Sequence, residues 1–291
     1  MSKIRIITDS GCDMNAEMAK KYGISIIPIS YTFDGVTYYE CGKEQTCEQF
    51  FERERREKEP PKTAQITPIQ YEEFFSAVLG EGYDTLIYIS ISANASGMYQ
   101  NACMVAREMS EEGKGKIYVV DGKSFTMSYG LPALMAAKMA AEGADAETIL
   151  KKLDEALSGA NVYFLVGDLT HLKKGGRINT ATLLVANMLD IRPVLTVKNG
   201  LIEQVGKIRG EKKLFKKLLD IVEDEHGLKG RYNYYIAHSC VSSKAAELRE
   251  EVLARIGDTD IEEVPIGPII GTHAGPDVCA IGFFDTEINY K

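Results

Sequence analysis

The sequence predicts an α/β protein of two domains: an N-terminal domain with a twisted, mainly parallel sheet and flanking helices, and a C-terminal α/β domain with a mixed sheet. Three observations carry this. Strand-like and helix-like segments alternate over most of the chain, which is the pattern of parallel sheets joined by crossover helices. The 291 residues exceed the roughly 100 to 200 of a usual domain. The texture changes beyond Gly159, where a basic glycine loop and a long hairpin interrupt the alternation, so the boundary falls there, between residues 1–159 and residues 160–291.

KIRIIT reads as the first strand, ending at Asp9 and Ser10. NAEMAKKYG has helical character and closes on Gly23, and the apolar ISIIPIS that follows reads as one strand feeding a hairpin with Asp34-Gly35 at its turn. Thr46 and Gln49 stand at capping-box spacing before a helix carrying the solvated run ERERREKE. Thr67, Pro68 and Gln70 give a stronger start signal for the helix YEEFFSAVL, which makes TAQI a loop. DTLIYISIS is the clearest buried strand, SANASG its turn, and the helix after it runs from Ala95 to Met109. KIYVVD repeats the strand signal before helices over Met127 to Ala141 and Ala146 to Leu157.

In the second half the expected elements are the strand NVYFLVGDL, a loop LKKGGRI, a helix through Leu183, and a hairpin turning at Asn199-Gly200. Helices at Glu211 to Glu225 and Ser243 to Ile256 separate the strands YNYYIAH and IEEVPI. The Gly- and Pro-rich IGPIIGTHAGPD reads as a loop before the last strand, with His273 inside it.

Composition excludes several functions. A hydrophobic fraction of 45% and a charged fraction of 26% are those of an ordinary globular protein. With 34 Lys plus Arg against 42 Asp plus Glu, the net charge of -8 repels a phosphate backbone, and no nucleic-acid partner is expected. The amino terminus shows no apolar core with a small-residue cleavage site, and no apolar run approaches about 18 residues, so a cytoplasmic protein is expected. The six cysteines (Cys12, Cys41, Cys47, Cys103, Cys240, Cys279) contain no C-x-x-C pair, and the four histidines no H-x-x-x-H spacing; free thiols and no metal are expected.

In open α/β sheets ligands bind where strands end and helices begin, because free backbone N–H groups and the positive helix end favour anions there. TDSGCD, TAQ and SANASG open on one sheet edge if their strands are parallel, which suits an anionic head group. Thr63, Ser92 and Ser96 can equally serve only as caps and turn closers, and the residues alone leave both readings open. A phosphate cradle is excluded, since the P-loop-like ending GKS lacks its first glycine, the position being Ile117. No G-x-S-x-G elbow is present, though Ser96 on a strand-to-helix turn imitates one loosely. Arg177, with Lys173 or Lys174 beside two glycines, makes a cationic turn able to approach a carboxylate or phosphate. Arg209 can merely start a helix.

TDSGCD, TAQITP, ISANASGMYQNA, DGKSFTMSYG, LKKGGRI and IGPIIGTHAGPD stand in the order and approximate spacing of DegV-like proteins, and the sequence resembles that family over essentially its whole length. The resemblance implies a fatty acid buried between the domains, such as palmitate, stearate or oleate, with no other cofactor and no catalytic residue. It assigns the carboxylate to Thr63, Ser96, the backbone of Gly97 and His273. It associates Arg177, Arg209 and His273 with phosphoryl transfer by a separate fatty-acid kinase, the acyl phosphate then being carried onward for phospholipid synthesis. Transient contact with a membrane surface goes with that role. The competing expectations are a hydrolase or transferase using Ser96 and His273, and a lipid-sensing module. The sequence departs from the family pattern at Ala93, at Asp277, in TAQITP and in SGMYQ.

Overall fold

The structure, a computed structural model, describes residues 3–39, 45–57, 59–167, 169–179 and 191–291. Strands β1 (Ile4–Asp9), β2 (Ser25–Ile27), β6 (Thr85–Ser90) and β7 (Lys116–Asp121) form a sheet of order β2-β1-β6-β7, parallel throughout. Every residue of β6 is buried, as a strand covered on both faces must be. The covering helices are α1 (Ala16–Tyr22), α3 (Pro68–Gly80), α4 (Met98–Glu111), α5 (Met127–Ala141) and α6 (Ala146–Ser158). Helix α5 is buried all round from Met127 to Ala137, because it packs on β1 with one side and on the second domain with another.

Between these lies a small antiparallel sheet, β4-β3-β5, of β3 (Ser30–Phe33), β4 (Val36–Tyr39) and β5 (Lys62–Ala64). The hairpin turns at Asp34 (φ 48°) and Gly35 (φ 78°), the mirror-image turn that suits strand twist. The expected single strand ISIIPIS is instead two, broken at Pro28, which cannot donate to a ladder. TAQI is likewise corrected: Thr63 pairs with Tyr31, so its start is a strand held by a partner distant in sequence. Helix α2 (Cys47–Glu54) and α3 carry the two expected capping boxes, at Thr46 with Gln49 and Thr67 with Gln70. Helix α4 starts at Met98, three residues later than expected, because Ser92 to Gly97 form the turn.

The second domain holds β8 (Ala160–Leu165), β9 (Ile191–Lys198), β10 (Leu201–Arg209), β11 (Tyr232–His238), β12 (Glu262–Pro265) and β13 (Cys279–Phe284) in the order β10-β9-β8-β13-β11-β12. Among the described strand pairs only β11–β12 is parallel, so the sheet is mixed. Its helices are α7 (Thr170–Gly175), α8 (Leu214–Glu225), α9 (Ser242–Ile256) and α10 (Pro268–Ala274). Two expected loops are therefore partly helical. Lys173 and Lys174 belong to α7, and His273 to α10, which Pro268 opens at its first turn. The helix expected through Leu183 falls in residues 180–190, outside the described residues, as does Cys41.

Side chains of the second sheet alternate between two cores. Tyr163, Leu165, Ile236, Cys279 and Ile281 face α8 and α9. Val162, Phe164, Leu195, Tyr235, Ala237 and Ala280 face the other way and merge with the core of the first domain. The functional cavity opens within this shared core. On that face Tyr235 lies over Gly282, its cross-strand partner, and its hydroxyl hydrogen-bonds Ser128 of α5 at 2.6 Å. A Cβ at position 282 would stand 2.1 Å from the Tyr235 ring. Gly282→Ala is expected to destabilise the protein by about 1–3 kcal/mol through overpacking, seen as a lower urea midpoint with an unchanged slope; an unchanged midpoint would contradict this packing.

Candidate functional site

The site is assembled from the ends of elements. Asp9, the last residue of β1, is buried and accepts four hydrogen bonds: from Gly11 N (3.1 Å) and Tyr129 Oη (2.7 Å) at Oδ1, and from Tyr88 Oη (2.9 Å) and Ile91 N (2.9 Å) at Oδ2. Burial pushes its pKa up, and these four donors pull it back. Asp121, at the end of β7, accepts from Ala93 N and Lys123 N, each at 2.9 Å. Two carboxylates thus pin alternate N–H groups of the loop that runs from Ile91 to Ser96. Asp13 Oδ1 accepts from Gly267 N at 2.9 Å and so ties the start of α10 to the same region. TDSGCD therefore positions the loops that carry the site.

Ser96 sits at the end of that loop, its N donating to Ser92 O at 3.1 Å. Gly97 opens the 14-residue α4, Ser96 Oγ accepts from Met98 N at 3.4 Å in its first turn, and a Cβ on Gly97 would meet Gln65 Oε1 at 2.9 Å. Thr63 reaches the same place from β5, and its Oγ1 is 2.9 Å from Nε2 of His273 on α10. The two glycines of LKKGGRI have separate reasons. A Cβ on Gly175 would lie 2.5 Å from His273 Nδ1, and Gly176 closes α7 in the left-handed region at φ 68°. Arg177 follows, donating from Nε to Ala95 O at 3.1 Å and from Nη1 to Gly175 O.

Thr63, Gln65, Ser96, Arg177 and His273 all line one cavity between the domains. Thr63 bonded to His273, Arg177 bonded to Ala95 O beside Ser96, and Gln65 against Gly97 make up the polar part of its wall. The rest of the wall is almost wholly apolar, including Ile29, Ile91 and Phe125 from the first domain and Val162, Phe164, Ala237 and Ala280 from the second. About 1100 Å³ of empty space, the open mouth included, lies among these residues. An apolar volume with one polar end fits an amphiphile carrying a single acidic head.

Burial, with Arg177 and His171 nearby, lowers the His273 pKa to about 4, so the imidazole is neutral at pH 7. This changes the expected charge balance: the positive charge beside the polar group is the guanidinium of Arg177. His273 Nε2 bonds Thr63, so the structure joins His273 to Thr63 where a hydrolase would join it to Ser96. Arg209 lies elsewhere. It is exposed at the far end of β10, seven residues along the strand from Ile202 on the cavity wall, about 23 Å at roughly 3.3 Å per residue.

Two residues of the site, Gln65 of TAQITP and Thr126 of DGKSFTMSYG, lie in quoted motifs that gave neither a role of its own. Gln65 is noticed only because Gly97 lacks a side chain. Thr126, on the cavity wall, has φ 54° and ψ -143°, a strained backbone for a β-branched residue, held by its N–H donating to Gly11 O at 3.1 Å. Among the described residues no group of three or more His, Cys, Asp or Glu is placed to hold a metal ion, and no helix is long and apolar enough to cross a membrane.

Known proteins match this chain in sequence and in fold. A family model described as an uncharacterised protein of the DegV family matches residues 3–286. A DegV domain-containing protein of Halalkalibacterium halodurans is 32% identical over 98% of this chain and 99% of its own. A fatty-acid-binding DegV family protein from Thermus thermophilus shares the fold with a TM-score of 0.87 at 28% identity, covering 98% of this chain and 100% of that one. A stearic acid-binding protein from Eubacterium ventriosum does so with a TM-score of 0.86 at 26% identity, covering 98% and 99%.

The neutral state of His273 has a pH signature. The unfolded chain binds this proton near the ordinary 6.5 and the folded chain near 4, so the residue's contribution to stability is present above about pH 6.5 and is lost as pH falls toward 4. Denaturant unfolding at pH 7 and pH 5 is expected to show a smaller acid-side loss in His273→Asn than in the parent protein. A loss at least as large in the variant would contradict the assignment.

Proposed function

The chain belongs to the DegV family, and on that premise we propose that it binds one long-chain fatty acid, such as palmitate, stearate or oleate, in the cavity between residues 1–159 and residues 160–291. The observation that carries the reading is the set of polar residues Thr63, Gln65, Ser96, Arg177 and His273 on a mostly apolar wall. A carboxylate needs donors. In the Nε2–H tautomer the neutral His273 donates to Thr63 Oγ1, which leaves the Thr63 hydroxyl proton for the ligand; Ser96 Oγ–H and the backbone N–H of Gly97 supply the others.

Magnitudes divide the work. Each methylene removed from water contributes about 0.8 kcal/mol, so a sixteen-carbon chain gains roughly 12 kcal/mol gross before ordering costs. A hydrogen bond to the charged head adds about 1.5 to 3 kcal/mol. The tail sets affinity and the head sets position. In this reading the protein presents the carboxylate to a separate fatty-acid kinase and carries the acyl phosphate onward for phospholipid synthesis. Arg177 stands where added phosphate charge would arrive. Arg209, away from the cavity, serves the surface that meets the kinase. The protein works in the cytoplasm with transient membrane contact. That His273 Nε2 is engaged by Thr63 supports a carrier over a Ser96 hydrolase.

The test is chemical. Protein expressed in bacteria is expected to retain about one fatty acid per chain, found by mass spectrometry of its organic extract and as an adduct on the native mass. Thr63→Ala and Ser96→Ala are each expected to weaken binding roughly tenfold while leaving the tail buried. Lipid-free preparations that also take up no added palmitate or oleate would overturn the reading; lipid binding untouched in both variants would overturn the placement of the head.

A further inference from the structure

The β9–β10 hairpin reaches from the second domain to the loop that carries Ser96. Its turn residues, Asn199 (φ 50°) and Gly200 (φ 72°), form a two-residue mirror-image turn. Both carbonyls of that tip accept hydrogen bonds from the first domain: Ser92 Oγ donates to Gly200 O at 2.7 Å, and Asn94 Nδ2 donates to Asn199 O at 2.7 Å. The approach is close enough that a Cβ on Gly200 would lie 2.3 Å from Ser92 Oγ, so glycine is needed opposite the serine hydroxyl. Directly behind the tip, the cross-strand pair Val197 and Ile202 forms part of the cavity wall.

Ser92 is fully buried, and its other contacts all organise the loop. Its N donates to Ser124 O at 3.1 Å, its carbonyl accepts from Ala95 N (3.2 Å) and Ser96 N (3.1 Å), and its Oγ accepts from Asn94 N at 3.3 Å. One side chain thus fastens the hairpin while its backbone fixes Ser96. Arg177 is tied to both parts, through Ala95 O on the loop and through the bridge of Ile178 to Ile202 on the hairpin.

We propose that Ser92 is a positioning residue that holds Ser96 in place and latches the β9–β10 hairpin over the cavity, so that a ligand enters and leaves when the Ser92–Gly200 contact breaks. The proposal rests on the fatty-acid reading above. The latch is independent of which residues bind the carboxylate, because it is the Ser92 hydroxyl that contacts the hairpin, while Ser96 is held by the Ser92 backbone.

The test measures exchange of bound palmitate for isotopically labelled palmitate by native mass spectrometry. Ser92→Ala and, separately, the exposed Asn94→Ala are expected to speed exchange roughly tenfold, as loss of one hydrogen bond implies. A double variant, Ser92→Cys with Gly200→Cys, places its Cβ atoms 3.4 Å apart, close to the roughly 3.5–4.5 Å of a disulfide. Oxidised, it is expected to hold its palmitate at least tenfold longer than when reduced, while each single cysteine variant shows no such dependence. Equal exchange in the oxidised and reduced forms, failure of the disulfide to form, or parental exchange rates in both alanine variants would overturn the latch. A parent protein that takes up no palmitate would overturn the fatty-acid reading itself, and the latch with it.

Discussion

The buried carboxylate of Asp9 is the constraint on which the rest depends. An ionisable group taken out of water must be supplied with donors, and the four that Asp9 uses come from the turn after β1, from the middle of β6, from the loop after β6 and from α5. Meeting that demand fixes where the loop after β6 leaves the sheet, and so where Ser96 stands. It also seats Tyr129 and with it α5, the helix against which the second domain packs. One polar requirement at a strand end orders both the polar group and the domain contact that encloses the cavity.

The second constraint is the pleat of the mixed sheet. Because neighbouring residues point to opposite faces, the strand β13 gives Cys279 and Ile281 to one core and Ala280 to the other. Small side chains at Ala237 and Ala280, paired across β11 and β13, leave space where Phe164 beside them fills it. The cavity is thus a local shortage of side-chain volume on a face that must otherwise pack tightly, and its apolar lining follows from its place in the shared core.

Much of this was legible in the residues. The capping boxes at Thr46 and Thr67, the turns at Asp34-Gly35 and Asn199-Gly200, and the helix from Met127 to Ala141 are local patterns with local causes. What was misread depended on partners far along the chain. Lys62–Ala64 is a strand only because Tyr31 is there to pair with Thr63, and a loop histidine became a helical one because α10 packs against α2 and α7. The motifs that grouped Thr63, Ser96, Gly97, Arg177 and His273 could be seen in the sequence. The neutral state of His273 and the role of Ser92 could not, since one depends on burial and the other on a contact across more than a hundred residues.

The central claim is that an acidic head meets Thr63 and Ser96 while its tail runs into the apolar interior. The most direct measurement is a crystal structure of the protein as purified, with its ligand in place. The account predicts a carboxylate oxygen within about 3.2 Å of both Thr63 Oγ1 and Ser96 Oγ, with the chain continuing past Ala237 and Ala280. A ligand whose head lies away from both hydroxyls, or whose tail points out through the mouth, would contradict it.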